Sequence, residues 1–532
     1  MAVASLNFVQ NDRNSLDKRA AVCYNVKKDT GRLTDMKRML AILLLAAMLL
    51  SAIACGKSED SGAATTTATP NAPAEVETTT AAVEETTLPP ETGFSETIPE
   101  EEVAALGLDG CTVNVFMRAE GVVWDNQDIW VETATGDVFN DAVFNRNLFL
   151  EEKYGFTFKL YRSADTYARE LKNYVLAQDD TYDLAFPMAR TAATFAPAGY
   201  LVDLYELNYI DPSTDVWNHV FNDEMVYDGK LFFITGDISV NAFKAVRVMM
   251  FNKTLYKEYS LESPYELVNS GKWTFDKMNE QVSVGSRDLN GDQKMALDDQ
   301  WGMVMQTATA GLPLFYGAGL KTVEMVDGLP EITLDSSHAS DVFDKITNIF
   351  ADESVYYIGE AADAKLIFSE GRALLYAEVL KTAIDLRSSE VEFGLLPAPK
   401  YNEEQEFYRA YADCWCISPA VIPTSAKNPE LSAFVLQATS EASTNTTRTA
   451  YYDVALTYQQ LRDEESREML DLIFDNFTLD SCDLYQWGGM VESIRKVFAR
   501  VSSGNLSSIL ASSKKALEVT MGLTTKQYDK NT

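Results

Sequence analysis

Hydrophobic and polar positions change period several times along this chain. Cys111 to Met117 alternates, which predicts a strand. From Asp141 to Tyr154 the apolar residues Val143, Phe144, Leu148, Phe149 and Tyr154 fall at helical spacing. Phe156 to Leu160 reads as a second strand, Tyr167 to Leu176 as a helix, and Tyr182 to Pro187 as a short buried strand. Near the C-terminus, Val491 to Val501 (VESIRKVFARV) predicts an amphipathic helix. Strands that alternate with helices of about ten residues or more predict an α/β fold with a mainly parallel sheet. Ligands of such sheets sit beyond the carboxyl ends of the strands. The loops after Met117 and Phe186 are therefore the first candidate site regions. The first carries Arg118, Glu120 and Trp124, and the second carries Arg190.

Upstream of this body the pattern is different. Met39 to Ala54 (MLAILLLAAMLLSAIA) is uncharged and follows Lys37 and Arg38. It is shorter than the roughly 20 residues of a membrane-spanning helix, and it has the plan of a secretory signal. It ends Ala52-Ile53-Ala54-Cys55, which resembles the bacterial lipobox, with Ala52 where that motif prefers Leu. The resemblance implies cleavage before Cys55 and lipidation of its thiol. The alternative is an ordinary signal or short anchor with an incidental Cys. Residues 1–35 are polar and precede the basic start, as expected of a start-site artefact with translation from Met36, or of a cytoplasmic extension. Residues 55–106 are rich in Thr, Glu and Pro. They bury too little apolar surface to offset chain entropy, so a disordered tether is expected.

The charge narrows the partners. The chain has 532 residues with 45 Lys and Arg against 79 Asp and Glu, a net charge of −34. Removing residues 1–54, with eight basic and four acidic side chains, leaves 37 against 75, or −38. Such a field disfavours nucleic acid and anionic lipid. His219 and His338 are the two histidines, too few for a His-rich zinc site. Six cysteines with no C-x-x-C pair do not make a disulfide scaffold. Cys111, Cys414, Cys416 and Cys482 of the body are expected as free buried thiols, with a Cys111–Cys416 bridge as the other possibility.

One loop carries a metal signal. In Asp288-Leu289-Asn290-Gly291-Asp292-Gln293-Lys294, running on to Asp299, side-chain oxygens stand at positions 1, 3, 5 and 12 of a twelve-residue loop. This is calcium spacing, with the Lys294 carbonyl at position 7. Gln293 stands where an EF-hand has Gly, and Asp299 where it has Glu, so the stretch resembles a dockerin loop more closely. A structural Ca²⁺ is expected; an acidic Asn-Gly turn without metal is the alternative.

The body carries, in order, TYDLAFPMARTAATFAPAGYLVDL, GDISVNAFKAVRVMMFNKTLYKEY, GKWTFDKMNE, FSEGRALLYAEV and EFGLLPAPK. That order resembles the extracellular solute-binding proteins of ABC importers, of the sugar-binding type that includes the maltodextrin-binding protein. The resemblance covers about 109–523. It implies a two-lobed periplasmic-binding-protein-like fold within 107–532, hinged around a central cleft. Lobe one would be about 107–240 and 398–445, and lobe two about 245–397 and 446–532. The crossings would lie near Ile238–Ala245, Pro397–Lys400 and Thr444–Tyr452. It further implies a monomer with a carbohydrate ligand and ABC permease subunits as partners. Its place would be the extracellular face of the bacterial cytoplasmic membrane, held by the lipid alone.

Sugar sites pair aromatic platforms with carboxylate, amide and Arg groups. Matched onto this sequence, the resemblance points to Trp487 as a stacking platform, Tyr316 as a second stacker, and Glu378 and Arg190 as polar contacts. Glu120 and Trp124 join them from the first loop. Trp415, between Cys414 and Cys416 on an expected strand, would face the cleft with both thiols inward. Trp130, Trp217, Trp273 and Trp301 read as packing residues. Two other classes compete, a lipid-anchored glycoside hydrolase and a surface lectin. A hydrolase needs two carboxylates ~5–9.5 Å apart, and no local motif isolates such a pair.

Overall fold

The computed structural model describes residues 93–119, 128–163, 167–386, 389–452 and 464–531. Cys55, Glu120, Trp124 and the signal segment lie outside the described residues.

The first sheet is built from β1 (Thr112–Met117), β2 (Thr157–Arg162) and β3 (Leu184–Ala185) in the order β2-β1-β3, all parallel. Helix Val138–Tyr154 connects β1 to β2. It starts three residues before Asp141 because Asp137 accepts from the amides of Phe139 and Asn140. It stops at Gly155, whose φ of 77° is the left-handed conformation that glycine adopts without strain. Arg146 on this helix is buried. Its guanidinium donates to the carbonyls of Asp128 and Ile129 and to the Ser443 hydroxyl, and burial lowers its pKa to about 10. One charged side chain thus ties the first helix to the end of helix Pro429–Ser443.

The second sheet contains β4 (Arg247–Asn252) and β5 (Trp301–Gln306). A hairpin of β6 (Val323–Val326) and β7 (Leu329–Ile332) follows β5. Then come β8 (Tyr356–Gly359), β9 (Ala373–Val379) and β10 (Phe393–Leu396), and the sheet order is β10-β4-β9-β5-β8. It is mixed, because β4 runs antiparallel to both neighbours while β5, β8 and β9 are parallel. Central strands covered on both faces read as apolar runs, and β4 and β9 are buried along their whole length. Arg247 on β4 and Glu378 on β9 are charged exceptions to that rule.

Two passages between the sheets run side by side where Val246 pairs with Ala412. Just before Ala412, β11 (Ala410–Tyr411) pairs with β12 (Phe477–Thr478). Lys400 pairs with Thr274, on the second-sheet side, and Ala420 and Val421 then pair with Ile234 and Ala185 of the first-sheet side. The return expected near Pro397–Lys400 therefore comes after Ala412. Helix Pro429–Ser443 continues through a π-helical turn at Thr444–Arg448. The described chain resumes at helix Glu464–Phe474, which packs on β10.

The end of the expected tether is folded. Phe94–Thr97 and Glu100–Ala105 are short helices. The Glu441 carboxylate accepts from the Ser95 amide at 3.2 Å and from the Ser95 hydroxyl, and Asn428 donates to the Leu106 carbonyl at 3.2 Å. Composition alone argued for disorder here, but a carboxylate 346 residues away takes up the Ser95 amide and hydroxyl at the start of the segment. Among the described residues no helix is long and apolar enough to cross a membrane.

Candidate ligand-binding cleft

A cavity of about 720 Å³ opens between the two halves. Its wall draws on Arg190 near the first sheet, on Arg247 and Glu378 of the second sheet, and on Asp413 and Trp415 of the second passage. Asp483, from helix Ser481–Tyr485, closes the ring.

Arg247 organises the floor. It is 3% exposed, and its guanidinium holds two carboxylates, Glu378 and, at 2.6 Å, Asp413. Burial pulls its pKa down, but the two neighbouring charges outweigh this and the net shift is upward. Glu378 also accepts from the Gln306 amide at 2.7 Å and from the Val379 backbone at 2.9 Å. Buried charges persist when they are paired and hydrogen-bonded, and here every charge is paired, while the Arg247 Nε–H alone of the guanidinium nitrogens has no hydrogen-bond partner among the described residues. The set links the second sheet to the second passage.

Asp413 also positions the aromatic platform. Its carboxylate accepts from the Trp415 amide at 3.0 Å, and its carbonyl accepts from the Cys416 amide at 2.8 Å. The segment is thus a tight turn and not the expected strand, because an Asp side chain can replace a ladder partner for the local backbone. The turn holds Cys414 and Cys416 in the interior and leaves Trp415 51% exposed. Arg190 lies 5.8 Å from the Trp415 ring centre. Its guanidinium bonds Asp483 at 2.5 Å, and the Asp483 charge raises its pKa in spite of burial. Asp483 accepts further from the Tyr411 hydroxyl at 2.8 Å. The described thiols are free, and burial pushes those of Cys414, Cys416 and Cys482 up.

The topology and the cleft can be set beside solved structures. A cyclo/maltodextrin-binding protein complexed with maltotetraose matches at TM-score 0.50 and 15% identity, covering 79% of this chain and 97% of that one. UspC of M. tuberculosis matches at TM-score 0.50 and 14% identity, covering 77% and 100%. The fold is that of a two-lobed solute-binding protein. An ABC substrate-binding protein from Listeria monocytogenes in complex with cycloalternan is similar at TM-score 0.49 and 14% identity, over 79% and 100% of the two chains. No protein-family model and no curated protein matches the chain.

Within this solute-binding fold, three of the expected contacts come together: Arg190, Glu378 and Trp415 all line the cleft. Two do not. Tyr316 is fully buried in helix Leu312–Gly317 and stacks on Tyr411 at 4.3 Å, so it backs the cleft wall without facing it. Trp487 is 2% exposed, stacked on Tyr485 at 4.6 Å, with its indole N–H donated to Thr524 at 2.9 Å. That threonine belongs to the long C-terminal helix Leu506–Asn531, which covers the Trp487 ring. The expected lobe-two platform is a core residue, and Gln486, Val491, Glu492 and Arg495 around it face the cleft instead. Trp217, Trp273 and Trp301 are buried as expected.

Sequence reasoning passed over Arg247, Asp413, Asp483, Tyr411 and Gln306. Arg247 had a signal. A lone Arg inside the apolar run Val246–Phe251 of a central strand must find a buried counter-charge. Asp413 and Asp483 had none beyond their neighbours.

The loop at 288–299 holds its turn without a Gly at position 6, since Gln293 adopts φ 64°. Asp288 accepts from the amides of Gly291 and Gln293, Asn290 from Asp292, and Asp292 from Lys294. Asp299 is fully buried and accepts from Leu289 and Ala296. Among the described residues, no group of three Asp, Glu, His or Cys side chains converges as a metal set. These carboxylates serve the loop's own amides.

Proposed function

We propose that this protein captures a carbohydrate in the cleft and hands it to the permease of an ABC importer. One observation carries the reading. A half-exposed indole, Trp415, stands beside carboxylates held by the buried Arg247 and the half-buried Arg190, within a cavity of about 720 Å³. A sugar offers apolar C–H faces to the ring and hydroxyls to the carboxylates. The solute-binding fold supports it, and so does the maltotetraose held by one protein of similar fold. Contacts from both halves would give the ligand differential affinity for a closed state, which ligand-driven closure requires. The test is a thermal-shift screen of the purified protein against a glycan panel, followed by calorimetric titration and assay for hydrolysis products. Reversible binding with no turnover supports the binder. Turnover would favour the hydrolase, and absence of any carbohydrate hit would remove the sugar.

The reading includes a lipid anchor at Cys55. Cys55→Ser is expected to release the protein into the medium or leave it uncleaved, as read by membrane fractionation and mass spectrometry of the N-terminus. Normal processing with full membrane retention would refute the anchor. It also includes a structural Ca²⁺ held by Asp288, Asn290, Asp292, Asp299 and the Lys294 carbonyl, with the carboxylates turning from their amides. A ligand held only by the folded state stabilises it. Millimolar calcium is therefore expected to raise the melting temperature of chelator-treated protein, and Asp288→Ala with Asp292→Ala to abolish the rise. Coincident melting curves would leave a metal-free turn.

A further inference from the structure

We infer that the cleft is a charge filter: it takes uncharged or amine-bearing saccharides and rejects those carrying carboxylate or phosphate. The inference rests on the carbohydrate reading and adds the charge class of the ligand. Among the described residues lining the cavity there are six carboxylates and four cations. Each cation already serves a carboxylate. Arg190 holds Asp483 at 2.5 Å, Arg495 holds Glu492 at 2.5 Å, and Lys381 holds Asp385 at 3.1 Å. Lys365 also reaches Asp385, at 3.4 Å. Arg247 is shared by two, Glu378 and Asp413, so the buried floor carries one negative charge in excess. Glu360, exposed at the rim, makes no ion pair with any described residue.

Among the described residues of this wall, an anionic ligand would therefore find no cation that lacks a carboxylate partner. To use one it would have to share a cation with the carboxylate that already holds it, and at the buried Arg247 it would add a third negative group beside Glu378 and Asp413. Ligand hydroxyls and ammonium groups face no such obstacle. A carboxylate has about four acceptor sites, and a guanidinium at one edge leaves others for the ligand. The net charge of −34 adds attraction for a cation at long range.

The experiment is calorimetric titration of the full-length protein, at pH 7 and low salt, with maltotetraose, cellotetraose, a glucosamine tetramer and a galacturonate tetramer. The galacturonate tetramer is expected to bind at least about tenfold more weakly than the best of the other three, since one like charge a few ångströms away in a partly dry cleft is worth about that factor. Glu360→Lys, a change at an exposed rim position, is expected to narrow the gap several-fold. Galacturonate binding as tight as the best of the others overturns the filter and leaves the carbohydrate reading standing. So does a gap that Glu360→Lys does not move, which would make ring stereochemistry the cause. Binding by none of the four, together with an empty glycan screen, overturns the carbohydrate reading and the filter with it.

Discussion

Arg247→Ala is expected to destabilise the protein by about 3–5 kcal/mol, the cost of leaving a buried charge without its partner. The guanidinium is the shared counter-ion of Glu378 and Asp413, whose side chains are 5% and 7% exposed. Removing it strands two carboxylates in the cleft floor and frees the turn that Asp413 organises around Trp415. Urea unfolding at pH 7 measures the loss. The deficit relative to wild type should shrink as the pH is lowered, because protonation removes the stranded charges in the variant. A charge-free triple variant, Arg247→Met with Glu378→Gln and Asp413→Asn, should recover most of the stability but not the ligand affinity. A single variant as stable as wild type at pH 7 would show that the three groups are not coupled.

The second large effect separates two tryptophans. Trp415→Ala should weaken carbohydrate binding by roughly thirtyfold, about 2 kcal/mol, as loss of an exposed aromatic anchor does, with little change in melting temperature. Trp487→Ala should do the reverse. It opens a cavity between helix Met490–Phe498 and the C-terminal helix and leaves the Thr524 hydroxyl without its donor. A loss of about 3–5 kcal/mol is expected, with affinity close to wild type in the protein that remains folded. Calorimetric titration beside denaturation curves reads both. If affinity follows Trp487 and not Trp415, the cleft is misassigned.

Much of the plan was legible along the chain. Period-two and helical spacing located β1, the helix ending at Tyr154, β2, the helix Tyr167–Leu176 and the amphipathic helix after Trp487. These elements are set by local burial of one face, which is written in sequence order. Arg190 and Glu378 were legible as cleft residues through the phrases that surround them, whereas Trp415 reaches the cleft from a turn and not from the expected strand. Element ends were less so, since Asp137 moves one helix start and Val421 takes the edge of the short β3.

What only the tertiary structure decided is which side chains meet. Trp487 became core because the C-terminal helix lies over it, with Thr524, 37 residues further on, accepting its indole N–H. Tyr316 sits behind Tyr411, Ser95 finds Glu441, and Arg190 finds Asp483 at a separation of 293 residues. The sequence by itself determined an alternation of strands and helices, a strongly acidic chain and a small set of polar and aromatic residues fit for a sugar. It did not determine the floor of the cleft, because a buried charge such as Arg247 announces only that a partner exists. Its partners Glu378 and Asp413 lie 131 and 166 residues away, and their pairing depends on β4, β9 and the second passage closing on one another.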